Sequence, residues 1–119
     1  MAGEVSFFEL GVRDPAPARE FYSELFGWRM KPGPSGEENG FHIETENIAG
    51  GLHGGDDGAG PYLFFRVDDI RAAAERVREL GGEAEFNDHY GPGPSGTFAF
   101  CRDNQGSSFG LHEPSGARP

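Results

Sequence analysis

Cysteine occurs once and lysine once, and no apolar run approaches the roughly 20 residues that a bilayer-spanning helix needs. A lone Cys101 excludes an internal disulfide and any CxxC metal knuckle, and it suits a reducing compartment. Basic residues are also scarce, 10 against 20 acidic ones, for a formal charge of −10. That balance argues against nucleic acid and against anionic membrane surfaces, both of which call for a Lys/Arg face. The chain does not open on a basic-then-apolar leader, so the expectation is a cytoplasmic protein. Apolar residues make up only 35%, yet 11 of them are Phe, and aromatics bury enough area to make a modest core feasible. The basic residues are almost all Arg, and with the abundant Gly, Ala and Pro this suggests a GC-rich bacterial genome, an argument about codons.

What is present is a repeat. Placing Phe7–Trp28 beside Tyr62–Glu83 aligns Val12, Asp14, Ala18, Glu20, Glu24, Leu25 and Gly27 with Val67, Asp69, Ala73, Glu75, Glu79, Leu80 and Gly82. Pro-Gly-Pro-Ser-Gly then recurs at 32–36 and 92–96, and Gly-Leu-His at 51–53 and 110–112. The collinear matches read as a duplication, with a short insertion in the second copy near Phe86–Tyr90.

Each copy has the same local pattern. Val5–Val12 reads as a strand. Pro15 opens a helix, Asp14 is placed to cap it, and Ala18, Phe21, Tyr22 and Leu25 recur at helical spacing before Gly27 ends it. Strands follow near Trp28–Lys31, Phe41–Thr45 and Ile48–His53. The second copy gives strand Tyr62–Val67, helix 69–80, then strands Glu83–Phe86, Thr97–Arg102 and Ser107–His112. The Asp56-Asp57 segment reads as a solvated turn and the tail from Glu113 as frayed.

The segments Phe8–Asp14 (FELGVRD), Phe21–Trp28 (FYSELFGW), Phe65–Ile70 (FRVDDI) and Cys101–Leu111 (CRDNQGSSFGL) resemble the vicinal oxygen chelate superfamily. That superfamily holds glyoxalase I, bleomycin-resistance proteins and extradiol dioxygenases, and the chain is most similar to its small bacterial glyoxalase-like members. The resemblance implies an α+β fold in which two tandem β-α-β-β-β modules form a curved mixed sheet around a cleft. It covers one domain over 1–119: module one at about 4–53, a linker at 54–60 and module two at about 61–113. It also implies a homodimer, and leaves open whether the modules pair within one chain or across two.

The superfamily's enzymes hold a divalent metal with His, Glu or Gln from four strand positions. Carried onto this chain, those positions are Phe7, Gly51, Tyr62 and Gly110, none of which brings an imidazole or a carboxylate, and of which only Tyr62 offers a donor atom. Two residues further along each strand, on the same face, stand Glu9, His53, Phe64 and His112. Glu9, His53 and His112 are the candidate catalytic residues. One reading makes them a displaced site for Fe, Zn, Mn or Ni. Others make Glu9 and one His a metal-free pair suited to acid–base work, or leave the histidines half-exposed at strand ends. Phe7, Tyr62, Phe64 and Arg66 are candidate ligand contacts, the aromatics as walls and Arg66 for an anion or for Glu9. His42 and Glu44 share one face of a strand, without any sign of which face that is. His89-Tyr90 read as loop or flap residues, and Cys101 as a buried structural thiol.

Two functions fit. The first is a cofactor-free module that binds a small, flat, aromatic molecule. The second is a lyase, isomerase or dioxygenase using Glu9, His53 and His112, with or without a metal.

Overall fold

A computed structural model describes residues 3–33, 39–56, 61–86 and 95–116; the His89-Tyr90 pair and residues 57–60 fall outside these. The elements are β1 (Val5–Gly11), α1 (Pro15–Phe26), β2 (Arg29–Pro32), β3 (Gly40–Glu44), β4 (Ala49–His53), β5 (Tyr62–Arg66), α2 (Ile70–Glu79), β6 (Glu83–Phe86), β7 (Thr97–Arg102) and β8 (Ser108–Glu113). The order β-α-β-β-β thus occurs twice, in an α+β chain of parallel and antiparallel pairs.

The chain divides into two compact units. The first is Phe7–Tyr62; the second joins residues 1–6 to residues 63–119. The N-terminal residues belong with the second because the Gly3 amide donates to the Arg66 carbonyl at 2.8 Å and the Arg66 amide to the Glu4 carbonyl at 2.8 Å.

In the first unit the strands run in the order β2-β3-β4-β1. The β2/β3 and β3/β4 pairs are antiparallel, and β4 lies parallel to β1, as a helical crossover requires. Strand alternation turns Phe8, Met30, Phe41, Ile43 and Leu52 to one side, where Ala18 and Tyr22 of α1 pack on them together with Trp28. The second unit repeats this as β5-β8-β7-β6, with Ala84, Ala99, Cys101 and Leu111 under Ile70 and Ala74 of α2. The Cys101 thiol is buried, which pushes its pKa up to about 11 and leaves it a packing group, as the sequence suggests.

The two helix starts differ. Asp69 accepts a hydrogen bond from the Ala72 amide at 3.2 Å, an ordinary N-cap, whereas the expected Asp14 cap is not made. The residue matching Ala72 in the repeat is Pro17, which has no N–H to give. The tail also departs from expectation at its first residue: Glu113 ends β8, and its Oε1 accepts from the Ile70 amide at 3.0 Å. The outward faces of the helices contrast as well. Phe21 of α1 is exposed, where α2 carries Arg76 in an ion pair with Glu79.

Candidate functional site

Each unit covers one face of its strands with its own helix, so the candidate residues are sought on the other face. In the first unit, Phe8 and Leu10 turn towards α1, which turns Phe7 and Glu9 away from it. Register carries that outward face across the strands. Glu9 lies opposite Gly51, Gly51 opposite His42, and His42 opposite Lys31. The adjoining row runs Gly11, His53, Gly40. His42 and Glu44 therefore lie on the face turned away from the helix, the point that the sequence left undecided.

The middle of this face is a glycine because Glu9 lies over it. A Cβ on Gly51 would run into the Glu9 carboxylate. From there Glu9 Oε2 meets His53 Nδ1 at 2.6 Å, and His53 Nε2 reaches Asp56 Oδ2 at 2.9 Å. Asp56 is thus not the solvated turn residue expected. Its amide donates to the Val12 carbonyl at 2.9 Å and that of Gly55 to Arg13 at 3.1 Å, folding the segment back onto the end of β1.

Burial pushes the Glu9 carboxyl above its ordinary range, and the contact with His53 offsets this only in part. Burial pulls the His53 imidazole down, but hydrogen bonds and charges from Glu9 and Asp56 outweigh it, so His53 titrates above its ordinary value. An imidazole held between two carboxylates favours the doubly protonated ring, which can donate from both nitrogens. Beside it, Lys31 Nζ contacts Glu44 Oε1 at 2.7 Å, which holds the Glu44 carboxyl below its ordinary value.

The outward face of the second unit is aromatic at the matching places. Phe64 lies opposite Gly110 and Gly110 opposite Phe100; Arg66 lies opposite His112 and His112 opposite Phe98. The Phe64 ring packs edge-on to Phe98 at 5.0 Å and to Phe100 at 5.6 Å between centroids. It covers Gly110 closely enough that a Cβ there would strike the ring.

His112 is buried rather than half-exposed, and stacks on Phe98 with centroids 4.6 Å apart. Its Nε2 donates to the Ser95 carbonyl at 2.7 Å. Burial pulls its pKa down, the Ser95 bond opposes that, and the Arg66 charge adds to the depression. The ring is therefore neutral near pH 7, and its bare Nδ1 accepts from Ser6 Oγ at 2.8 Å. The Arg66 side chain is 35% exposed. Its Nε is buried and makes no hydrogen bond, and Asp68 Oδ1, at 3.9 Å, is an ion-pair partner beyond hydrogen-bond reach.

Of the candidate residues, Glu9 and His53 are hydrogen-bonded to each other in the first unit. His112 belongs to the second, where both its nitrogens bond to other partners. Phe64 and Arg66 lie on the second unit's outward face; Phe7 is buried, and Tyr62 half-buried at the start of β5. The four positions that the resemblance assigns to metal ligands do not fit a divalent ion. Phe7 and Tyr62 bring no imidazole or carboxylate, and any ligand side chain at Gly51 or Gly110 would first have to displace Glu9 or Phe64. Within either unit, the described residues gather no group of three His, Cys, Asp or Glu side chains able to hold a metal.

Sequence reasoning missed Asp56, Ser6, Ser95, Phe98 and Phe100. The two phenylalanines had a readable signal, since they alternate with the buried Ala99 and Cys101. The Ser6–His112 bond joins residues 106 apart and had none.

Comparison with known proteins agrees with this architecture. The glyoxalase-like domain family matches residues 7–112. A glyoxylase-like domain-containing protein of Didymella fabae is 27% identical over 92% of this chain and 92% of its own length. A candidate glyoxylase of Mycobacterium bovis is 28% identical over 92% of this chain, which spans only 45% of that protein. Among solved structures, homoprotocatechuate 2,3-dioxygenase from Arthrobacter globiformis superposes with a TM-score of 0.69 at 20% identity, over 95% of this chain and 36% of the dioxygenase. A methylmalonyl-CoA epimerase superposes with a TM-score of 0.68 at 16% identity, over 100% of both chains. At such identities the structural likeness carries the fold alone. With a family match over nearly its whole length, the chain belongs to the glyoxalase-like domain family, and it shares the vicinal oxygen chelate fold of these neighbours.

Proposed function

We propose that the protein binds a small molecule through a flat aromatic part laid against Phe98 and Phe100, which the buried Phe64 ring backs, and that it does so without the divalent metal of glyoxalase I. The observation that carries this reading is the aromatic face itself. Phe98 and Phe100 both pack edge-on to the buried Phe64 ring that lies over Gly110, and Phe100 remains 40% exposed. Rings presented in this way on a sheet face suit stacking and edge contacts with a planar ligand. The metal-free part rests on the ligand positions, where Glu9 and Phe64 occupy the room that side chains at Gly51 and Gly110 would need.

The test is an NMR titration with uncharged aromatics such as indole and 2-naphthol. Saturable shifts at the Phe98 and Phe100 rings and the Gly110 amide are expected, weakened about tenfold in Phe98→Ala, the loss of one ring contact. Absence of saturation at about 1 mM would sink the reading, since weaker contact is not recognition. A parallel titration with Fe²⁺, Zn²⁺, Mn²⁺ and Ni²⁺ is expected to show no stoichiometric binding. About one ion per chain, lost in Glu9→Gln or His112→Ala, would instead restore the displaced site of Glu9, His53 and His112. Light scattering on the same sample reads the homodimer implied by the family resemblance.

A second reading has its own observation. His53 shares protons with Glu9 and Asp56, so this unit could run acid–base catalysis on a carbon acid as a lyase or isomerase. Exchange of α-protons of carbonyl compounds in D₂O, abolished in His53→Gln, would support it; no exchange above the variant would dismiss it.

A further inference from the structure

We infer that Arg66 anchors a carboxylate, so that the molecule held on the aromatic face is an aryl or arylalkyl carboxylic acid. This rests on the small-molecule reading above and names its ligand class. A guanidinium Nε cut off from water and given no acceptor is a donor awaiting a partner. The Asp68 carboxylate does not supply one at 3.9 Å.

The neighbouring groups cannot take over that role. His112 donates its Nε2 proton to Ser95, and Ser6 gives its hydroxyl proton to His112 Nδ1. Both side chains have thus spent their protons and have none for an anion. Glu113, at the end of β8, accepts from the Ile70 amide. Arg66 lies opposite His112, with Phe98 one strand further along the same register row, and two residues after Phe64 on β5; its side chain is 35% exposed. The orphan is Nε rather than a terminal nitrogen. The edge formed by Nε and one Nη is the edge of arginine that matches the two oxygens of a carboxylate. A phosphate monoester, with its greater charge, ordinarily calls for more donors than one such edge.

The experiment uses ligand pairs of one shape and two charges: indole-3-acetate against indole-3-acetamide, and 2-naphthoate against 2-naphthamide. Calorimetry on the full chain is expected to find the acid of each pair bound about tenfold or more tighter than its amide. Arg66→Gln should erase that preference by weakening the acid alone. Arg66→Lys should restore only part of it, since a point charge lacks the planar edge. Phe98→Ala should weaken acid and amide alike. Acid and amide bound equally by the wild type would overturn the carboxylate assignment and leave the aromatic reading standing. So would a preference that survives in Arg66→Gln. Failure of both members of every pair to bind would overturn the aromatic reading itself and this inference with it. Tighter binding of 2-naphthyl phosphate than of 2-naphthoate would overturn the carboxylate in favour of a phosphate monoester.

Discussion

Glu9 in the first unit and Phe64 in the second hold equivalent places in the repeat, each lying over the glycine registered opposite it, Gly51 and Gly110. His53 and His112 are equivalent too, yet they titrate in opposite directions. His53 is half-exposed and clamped by two carboxylates; His112 is buried against a phenyl ring, a serine hydroxyl and a carbonyl. The fold sets where these side chains point. The partners that each copy supplies decide whether the result is a charged, proton-sharing face or an aromatic one with Arg66 beside it. A shared backbone template is therefore weak evidence for shared chemistry.

The glycines break the comparison most sharply. In Gly110→Ala the new methyl meets the Phe64 ring, which is buried and pinned by Phe98 and Phe100, so about 1–3 kcal/mol of stability should be lost. In Gly51→Ala the methyl meets the end of the Glu9 side chain, which can swing aside, so the loss should be smaller. Urea unfolding of both variants decides it, and equal losses would contradict the contrast. The helix starts come next. Asp69→Ala should cost about 1 kcal/mol as a lost N-cap, and Asp14→Ala clearly less, because Asp14 makes no such bond. Thermal denaturation of the two variants ranks them.

The smallest effect is the dependence on pH. His53 has a raised pKa in the fold, so its contribution is present below its unfolded value near 6.5 and fades as pH rises through the higher folded one. His112 is lowered, so the unfolded chain takes up that proton first and stability falls as pH drops below about 6.5. His53→Gln should accordingly flatten the alkaline side of the stability curve, and His112→Gln should flatten the acid side. NMR titration of the imidazoles should also find that Glu9→Gln moves His53 downward and leaves His112 in place. A common pKa for both rings would remove the distinction.

Much of the fold was legible because it rests on local signals. Apolar alternation, Pro15, Gly27 and the repeat place the elements to within about a residue at most ends. The Asp14 cap follows from residue type and position, but it is not made, because Pro17 lacks the amide that Ala72 provides in the second copy. The site was legible only in part. Period two put Glu9 and His53 on one face, but pairing register, which the sequence does not contain, decides that His42 shares it. Asp56 returns to His53 through backbone hydrogen bonds that no side-chain pattern announces.

The close fit of Glu9 over Gly51 and of Phe64 over Gly110 also bears on how such a chain can change. A metal-ligating Glu introduced at 51 or 110 would meet an occupied space and lower fitness before it could coordinate anything. At 110 the buried Phe64 ring would have to shrink first, which forfeits the aromatic cluster; at 51 the Glu9 side chain can swing aside, but only by giving up its pair with His53. A ligating side chain at 110 is therefore open in only one order of mutation, after Phe64 has been reduced, whereas one at 51 is open in either order.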